Sequence, residues 1–181
     1  MLGACHERVE RTLDLLERLQ RHVKTHGCDA QASQAATDVM RYFDVAAPLH
    51  HQDEELHVFP AILSGTDAPA AQLARQLIAQ HRQMEQLWAQ MREVLSRLIG
   101  NADLPPVPFQ GLDAPRVAEF AAVYREHIRL EESNAYPAAQ AVLGDDLLHA
   151  MGADMMHRRG VKSPALGRHI GASRPTQGRE S

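Results

Sequence analysis

Two stretches of the chain nearly repeat one another: His50-His51-Gln52-Asp53-Glu54-Glu55-Leu56-His57-Val58-Phe59-Pro60 and His127-Ile128-Arg129-Leu130-Glu131-Glu132-Ser133-Asn134-Ala135-Tyr136-Pro137. Both read His-x-x-x-Glu-Glu-x-x-x-aromatic-Pro. On a helix, a four-residue gap sets His and Glu on one face. Helical side chains lean toward the N-terminus, so imidazole and carboxylate can converge on one point. Two such faces turned toward each other make a metal site.

Apolar residues recur at helical spacing in four segments, each bounded by turn chemistry. The first carries Val9, Leu13, Leu16, Leu19 and Val23 and stops at Gly27. The second carries Val39, Met40, Phe43, Ala46 and Ala47 and runs to Phe59-Pro60. The third carries Leu73, Leu77, Met84, Trp88, Met91, Leu95 and Leu98 and ends before Gly100-Asn101. The fourth carries Val117, Phe120 and Tyr124 and reaches Tyr136-Pro137. Asp67-Ala68-Pro69 and Asp113-Ala114-Pro115 read as an Asp cap followed by a first-turn Pro, so they start the third and fourth helices. Pro105, Pro106 and Pro108 make residues 100–112 a long non-helical connector. No β-alternation of useful length occurs.

Four amphipathic helices bury their stripes most simply as an antiparallel bundle. The expected fold is therefore all-α, an up-down-up-down four-helix bundle. A shorter helix over residues 145–157 is expected to pack across its end. The bundle with this helix spans residues 1–157. Residues 158–181, with Arg158, Arg159, Lys162, Arg168, Arg174 and Arg179 among Gly, Ser and Pro, read as a basic, flexible, solvated tail.

Every core stripe contains a histidine. Stepping by threes and fours leads from Leu16, Leu13 and Val9 to His6, from Phe43 and Ala47 to His50 and Glu54, from Leu77 to His81, and from Tyr124 to His127 and Glu131. One buried imidazole is easily satisfied by a hydrogen bond. Four imidazoles and two carboxylates in one interior cost several kcal/mol for each unpaired charge, which mutual pairing or a bound cation offsets. Imidazole mixed with carboxylate and no thiolate suits iron, manganese or zinc. Zinc usually stops at four ligands, so six or more donors favour two six-coordinate ions, above all iron.

Other features narrow the class. Only Cys5 and Cys28 are present, which suits a reducing cytoplasm. Neither a secretory signal pattern nor a membrane-length apolar run is visible. No phosphate-binding loop, nucleophile–base motif or DNA-binding element is found, so no nucleic acid or membrane partner and no catalytic residue is expected. His22 and His26 form an i, i+4 pair near the end of the first helix, with a second metal site as the alternative to a dipole-favoured pair.

The doubled motif resembles the bacterial hemerythrin-like domains known as HHE cation-binding domains, over roughly residues 1–140. The family arrangement maps onto His6, His50 with Glu54, His81, and His127 with Glu131. The resemblance implies an oxo- or hydroxo-bridged pair of iron ions, with manganese or zinc as lesser alternatives, in a monomer or weak homodimer. It also implies O₂ or NO as the small ligand, for sensing, storage or iron handling. The alternative is a di-iron enzyme acting on peroxide or NO, or in iron–sulfur cluster repair; the repair proteins carry paired N-terminal cysteines where this chain has Cys5. His51 with Glu55 shares the spacing of His50 with Glu54, but aligning Pro60 on Pro137 selects the latter pair. His51 and Glu55 then take a solvent-side or outer position. Oxygen carriers of the family place a second His one turn after the third-helix His; here that residue is Glu85, a possible seventh ligand. Tyr124, one turn before His127, is a candidate to hydrogen-bond a bound ligand.

The register is testable. Glu54→Ala or Glu131→Ala should lose far more bound iron than Glu55→Ala or Glu132→Ala, as measured by iron per chain; equal losses would break the assignment.

Overall fold

A computed structural model describes residues 2–100 and 112–160. Helix α1 spans Leu2–His26. Helix α2 runs without a break over residues 30–64, joining Ala30–Arg41, Ala47–Asp53 and Phe59–Ser64 through two widened π turns, Tyr42–Ala46 and Glu54–Val58. Helix α3 spans Ala68–Gly100. Helix α4 covers residues 114–142, joining Ala114–Leu130 to Tyr136–Val142 through a π turn at Glu131–Ala135, and α5 spans Asp145–Arg158. No strand occurs among the described residues. The expected connector lies almost wholly outside the described residues, as does the tail from residue 161.

The expected boundaries have visible causes. Gly27 adopts φ 77°, the left-handed conformation that closes a helix, and its N–H donates to Val23 at 3.0 Å. Asp29, Asp67 and Asp113 each accept a backbone N–H three residues on, from Ala32, Ala70 and Arg116 at 2.8, 3.0 and 2.9 Å. With three-residue joins at 27–29 and 65–67, the first three helices must run antiparallel. Around the bundle α1 meets α2 and α4, and α3 meets α2 and α4; α2 and α4 also meet each other through Phe59–Ser64 and Tyr136–Val142.

The prolines mark a departure from expectation. Phe59-Pro60 and Tyr136-Pro137 do not end their helices, which continue to Ser64 and Val142. Proline lacks an N–H, and its ring collides with the carbonyl one turn back. Pro48, Pro60 and Pro137 each follow a π turn whose closing bond spans five residues, Ala47 to Tyr42, Phe59 to Glu54 and Tyr136 to Glu131. The wider turn accommodates the ring, and the inserted residue turns the rest of the helix by about 100°.

The apolar core falls into two clusters. One, built from residues such as Leu13, Leu16, Phe43, Met84, Leu95 and Phe120, occupies most of the bundle. The other contains Val58, Phe59, Leu77, Ala135 and Met151. In sequence His50 and His81 lie between them on α2 and α3, and Glu131 does on α4. Surface pairs tie helices together: Arg125 on α4 reaches Glu10, Asp14 and Glu17 on α1, and Arg92 and Trp88 on α3 both bond Asp44 on α2.

Helix α5 forms as expected, but Arg158 and Arg159, counted with the tail from sequence, belong to the bundle. Both pair with the buried carboxylate of Asp53, Arg158 at 2.7 Å. Asp154 accepts from Arg158 and from His57, the latter at 2.8 Å, so the network clips α5 to α2. Breaking a buried pair costs about 3–5 kcal/mol when one charge is left stranded. The arginines keep some solvent, so Asp53→Ala should destabilise by the lower end of that range in urea melts, with α5 amides exchanging first.

Candidate metal centre

Each long helix delivers one histidine to a single layer of the bundle. His6, His50, His81 and His127 are buried, and Glu54 and Glu131 are both at 0% exposure. The nitrogens meet in pairs. His6 Nε2 lies 3.1 Å from His50 Nε2, and His81 Nε2 lies 3.0 Å from His127 Nε2. The carboxylates stand between the pairs. Glu131 turns Oε2 to His6 at 3.2 Å and Oε1 to His127 at 2.8 Å. Glu54 turns Oε1 to His50 and Oε2 to His81, both at 3.5 Å. Two donor groups result, His6–His50–Glu54–Glu131 and Glu54–His81–His127–Glu131, each with its donor atoms within 4.8 Å of one another.

This geometry fits cations better than internal hydrogen bonding. A proton shared between two facing nitrogens satisfies one pair only, and neither Glu131 oxygen nor Glu54 Oε2 has a hydrogen-bond partner of acceptable direction. These oxygens lie close to imidazole nitrogens that do not point at them. An octahedral ion about 2.1 Å from its donors separates adjacent donors by about 3 Å, the spacing seen here. Unpaired buried carboxylate oxygens are costly, and a shared pair of cations removes that cost.

Outer groups fix the rings. His81 Nδ1 bonds Glu55 at 2.9 Å and His6 Nδ1 bonds Glu132 at 2.9 Å. His127 Nδ1 bonds Gln80 Oε1, also at 2.9 Å. An acceptor at Nδ1 holds the proton there and leaves the Nε2 lone pair facing inward. The Glu-Glu pair thus has two duties: the first carboxylate enters the centre, and the second orients the histidine of a neighbouring helix. His51 is buried and stacks on His81, ring centroids 4.0 Å apart.

Six of the seven expected residues are brought together. Glu85 is not; it is exposed and pairs with Arg82 at 2.7 Å, and Arg82 also holds Glu55 at 2.8 Å. Tyr124 packs against Phe43 and Phe120, while the hydroxyl nearest the centre belongs to Tyr136. That hydroxyl donates to Glu54 and lies 3.1 Å from His6 Nε2. Sequence spacing missed Tyr136, Glu132 and Gln80; the repetition of the second Glu was the available signal for Glu132. His22 is held by Asp29 at 2.8 Å and stacks on His26, outside both donor groups.

Burial lowers the pKa of His50 to about 3 and of His81 to about 4, and holds His51 well below its ordinary value. Burial and the nearby Glu131 charge raise Glu54 well above the carboxylate range. Burial works against the Glu131 charge, but the facing His127 and His6 outweigh it and keep that carboxyl low. Burial likewise opposes charge on His6, yet Glu131 and Glu132 outweigh it and raise the pKa.

A four-helix bundle with a buried imidazole–carboxylate layer defines a cation-binding helical protein. The chain belongs to the hemerythrin HHE cation-binding domain family, whose profile matches residues 1–139. It is also similar to an uncharacterized protein of Haemophilus influenzae, 33% identical over 163 residues that cover 90% of each chain.

For the metal-free protein the pH dependence has a definite sign. Below pH 6.5 the unfolded chain protonates His50, His51 and His81, while the folded chain does not until about pH 3–4 for His50 and His81. The protons held in the folded state by Glu54, and above pH 6.5 by His6, act the other way, but below pH 6.5 three imidazoles outweigh one carboxyl. Stability should be full near neutrality and fall from pH 6.5 toward pH 4. Urea melts of metal-free protein across that window check it; a flat profile would contradict the burial of these rings.

Proposed function

We propose that the protein is a non-haem di-iron protein that binds O₂ or NO, for sensing, storage or iron handling. The observation that carries this reading is the sharing of Glu54 and Glu131 between two imidazole pairs, because two carboxylates common to two donor groups bridge two ions. His6 and His50 would hold one ion, and His81 and His127 the other. Mixed nitrogen and oxygen donors without thiolate favour iron. Such an ion pair supplies redox chemistry and open coordination positions for a diatomic ligand.

The chain's own residues shape the approach. A surface groove of about 460 Å³ is lined by His51, Glu55, Arg82 and Glu85, and its His51 and Glu55 touch His81 directly. The pairing of Glu85 with Arg82 supports a centre without it. The four imidazoles and two bridging carboxylates supply about eight of the roughly twelve positions of two six-coordinate ions. No helix among the described residues is long and apolar enough to cross a membrane, and the free thiols Cys5 and Cys28 suit the reducing cytoplasm that we propose as its compartment.

The test is iron per chain, together with the visible spectrum of the anaerobically reduced protein before and after O₂ or NO is added. About two irons per chain and a new ligand-to-iron band are expected, both lost in His127→Ala. One zinc, or no metal, with an unchanged spectrum would overturn the reading.

A further inference from the structure

We infer that Tyr136 is itself a metal ligand, its phenolic oxygen coordinating the ion held by His6 and His50. The inference rests on the di-iron reading and adds a donor that sequence spacing does not assign. The Tyr136 hydroxyl bonds Glu54 Oε1, the oxygen that Glu54 turns toward His50, and stands 3.1 Å from His6 Nε2. His6 Nε2 in turn lies 3.1 Å from His50 Nε2 and 3.2 Å from Glu131 Oε2. One imidazole nitrogen cannot hydrogen-bond three partners, since it has a single in-plane lone pair or proton. It can share one ion with all three. The 3.1 Å separation is again the edge of an octahedron of about 2.1 Å bonds.

The doubled motif supplies an internal control. Tyr136 and Phe59 occupy the same place in the two copies. Tyr136 stacks over His6 with centroids 5.5 Å apart, and Phe59 lies 5.6 Å from His81. Each aromatic thus covers a ligand histidine of the neighbouring helix, but only one brings an oxygen. The two ions are therefore unequal: that of His6 and His50 gains a protein donor, while that of His81 and His127, on the side of the groove, keeps its position for an external ligand. Coordination replaces the phenolic O–H bond by an O–metal bond and releases one proton to solvent, as metal binding by protonated ligands generally does.

Resonance Raman spectroscopy of the ferric protein decides the matter, because a coordinated phenolate shows its own ring vibrations. These modes are expected in the unmodified protein and in Tyr124→Phe, and absent from Tyr136→Phe at equal iron content. Iron-loaded protein without phenolate modes, or modes that survive Tyr136→Phe, would sink the inference while leaving the di-iron reading intact. A chain that takes up no iron removes both. Should Tyr136→Phe fail to retain iron, gallium(III) titration of the unmodified protein provides the second measurement. A tyrosinate ultraviolet difference band at saturation supports coordination, and its absence overturns it.

Discussion

The structure turns on two carboxylates that water cannot reach. Glu54 and Glu131 sit at 0% exposure where four helices meet, and everything around them answers the resulting electrostatic problem. Four imidazoles close on the oxygens from all four long helices. Outside them, Glu55, Glu132 and Gln80 fix three of the rings with their lone pairs directed inward. An apolar replacement would pack as well at lower cost, so a layer this polar is retained for what it binds.

The bundle's irregularities serve the same layer. A π turn begins at each shared carboxylate, over Glu54–Val58 and Glu131–Ala135, and a proline follows each. On a regular helix, a residue five positions after the Glu would point about 140° away from it. The widened turn brings that residue back over the Glu, which is why the rings of Phe59 and Tyr136 lie against His81 and His6. The aromatic-Pro ending of each motif is thus a geometric device.

Much of this was legible in the residues. Helix starts at Asp67 and Asp113, the stop at Gly27, the short final helix and the six inward-facing donors all follow from local rules that the tertiary structure does not override. The misses have distinct causes. Pro60 and Pro137 read as helix ends, and Tyr124 read as the nearer tyrosine, because spacing arguments assume a constant 3.6-residue turn. A single π turn breaks that assumption just past the ligands. Glu85 has the right spacing from His81, yet Arg82, three residues away, holds it at the surface, an ion pair that periodicity cannot see. The orienting role of Gln80 depends on a neighbouring helix and has no signature within its own, whereas that of Glu132 was signalled only by the repeated second Glu.

The division of the apolar core into two clusters has a consequence for cooperativity. Sheets of contiguous hydrocarbon normally make a bundle unfold as one unit, but here a polar stratum interrupts them. Without ions to bind its two faces together, that stratum would be a plane along which the smaller cluster under α5 opens as a separate unit. Ions bound there would join the halves, since donors from all four long helices would then share one centre. On the proposed reading, metal occupancy would then decide whether the two ends behave as a single folding domain.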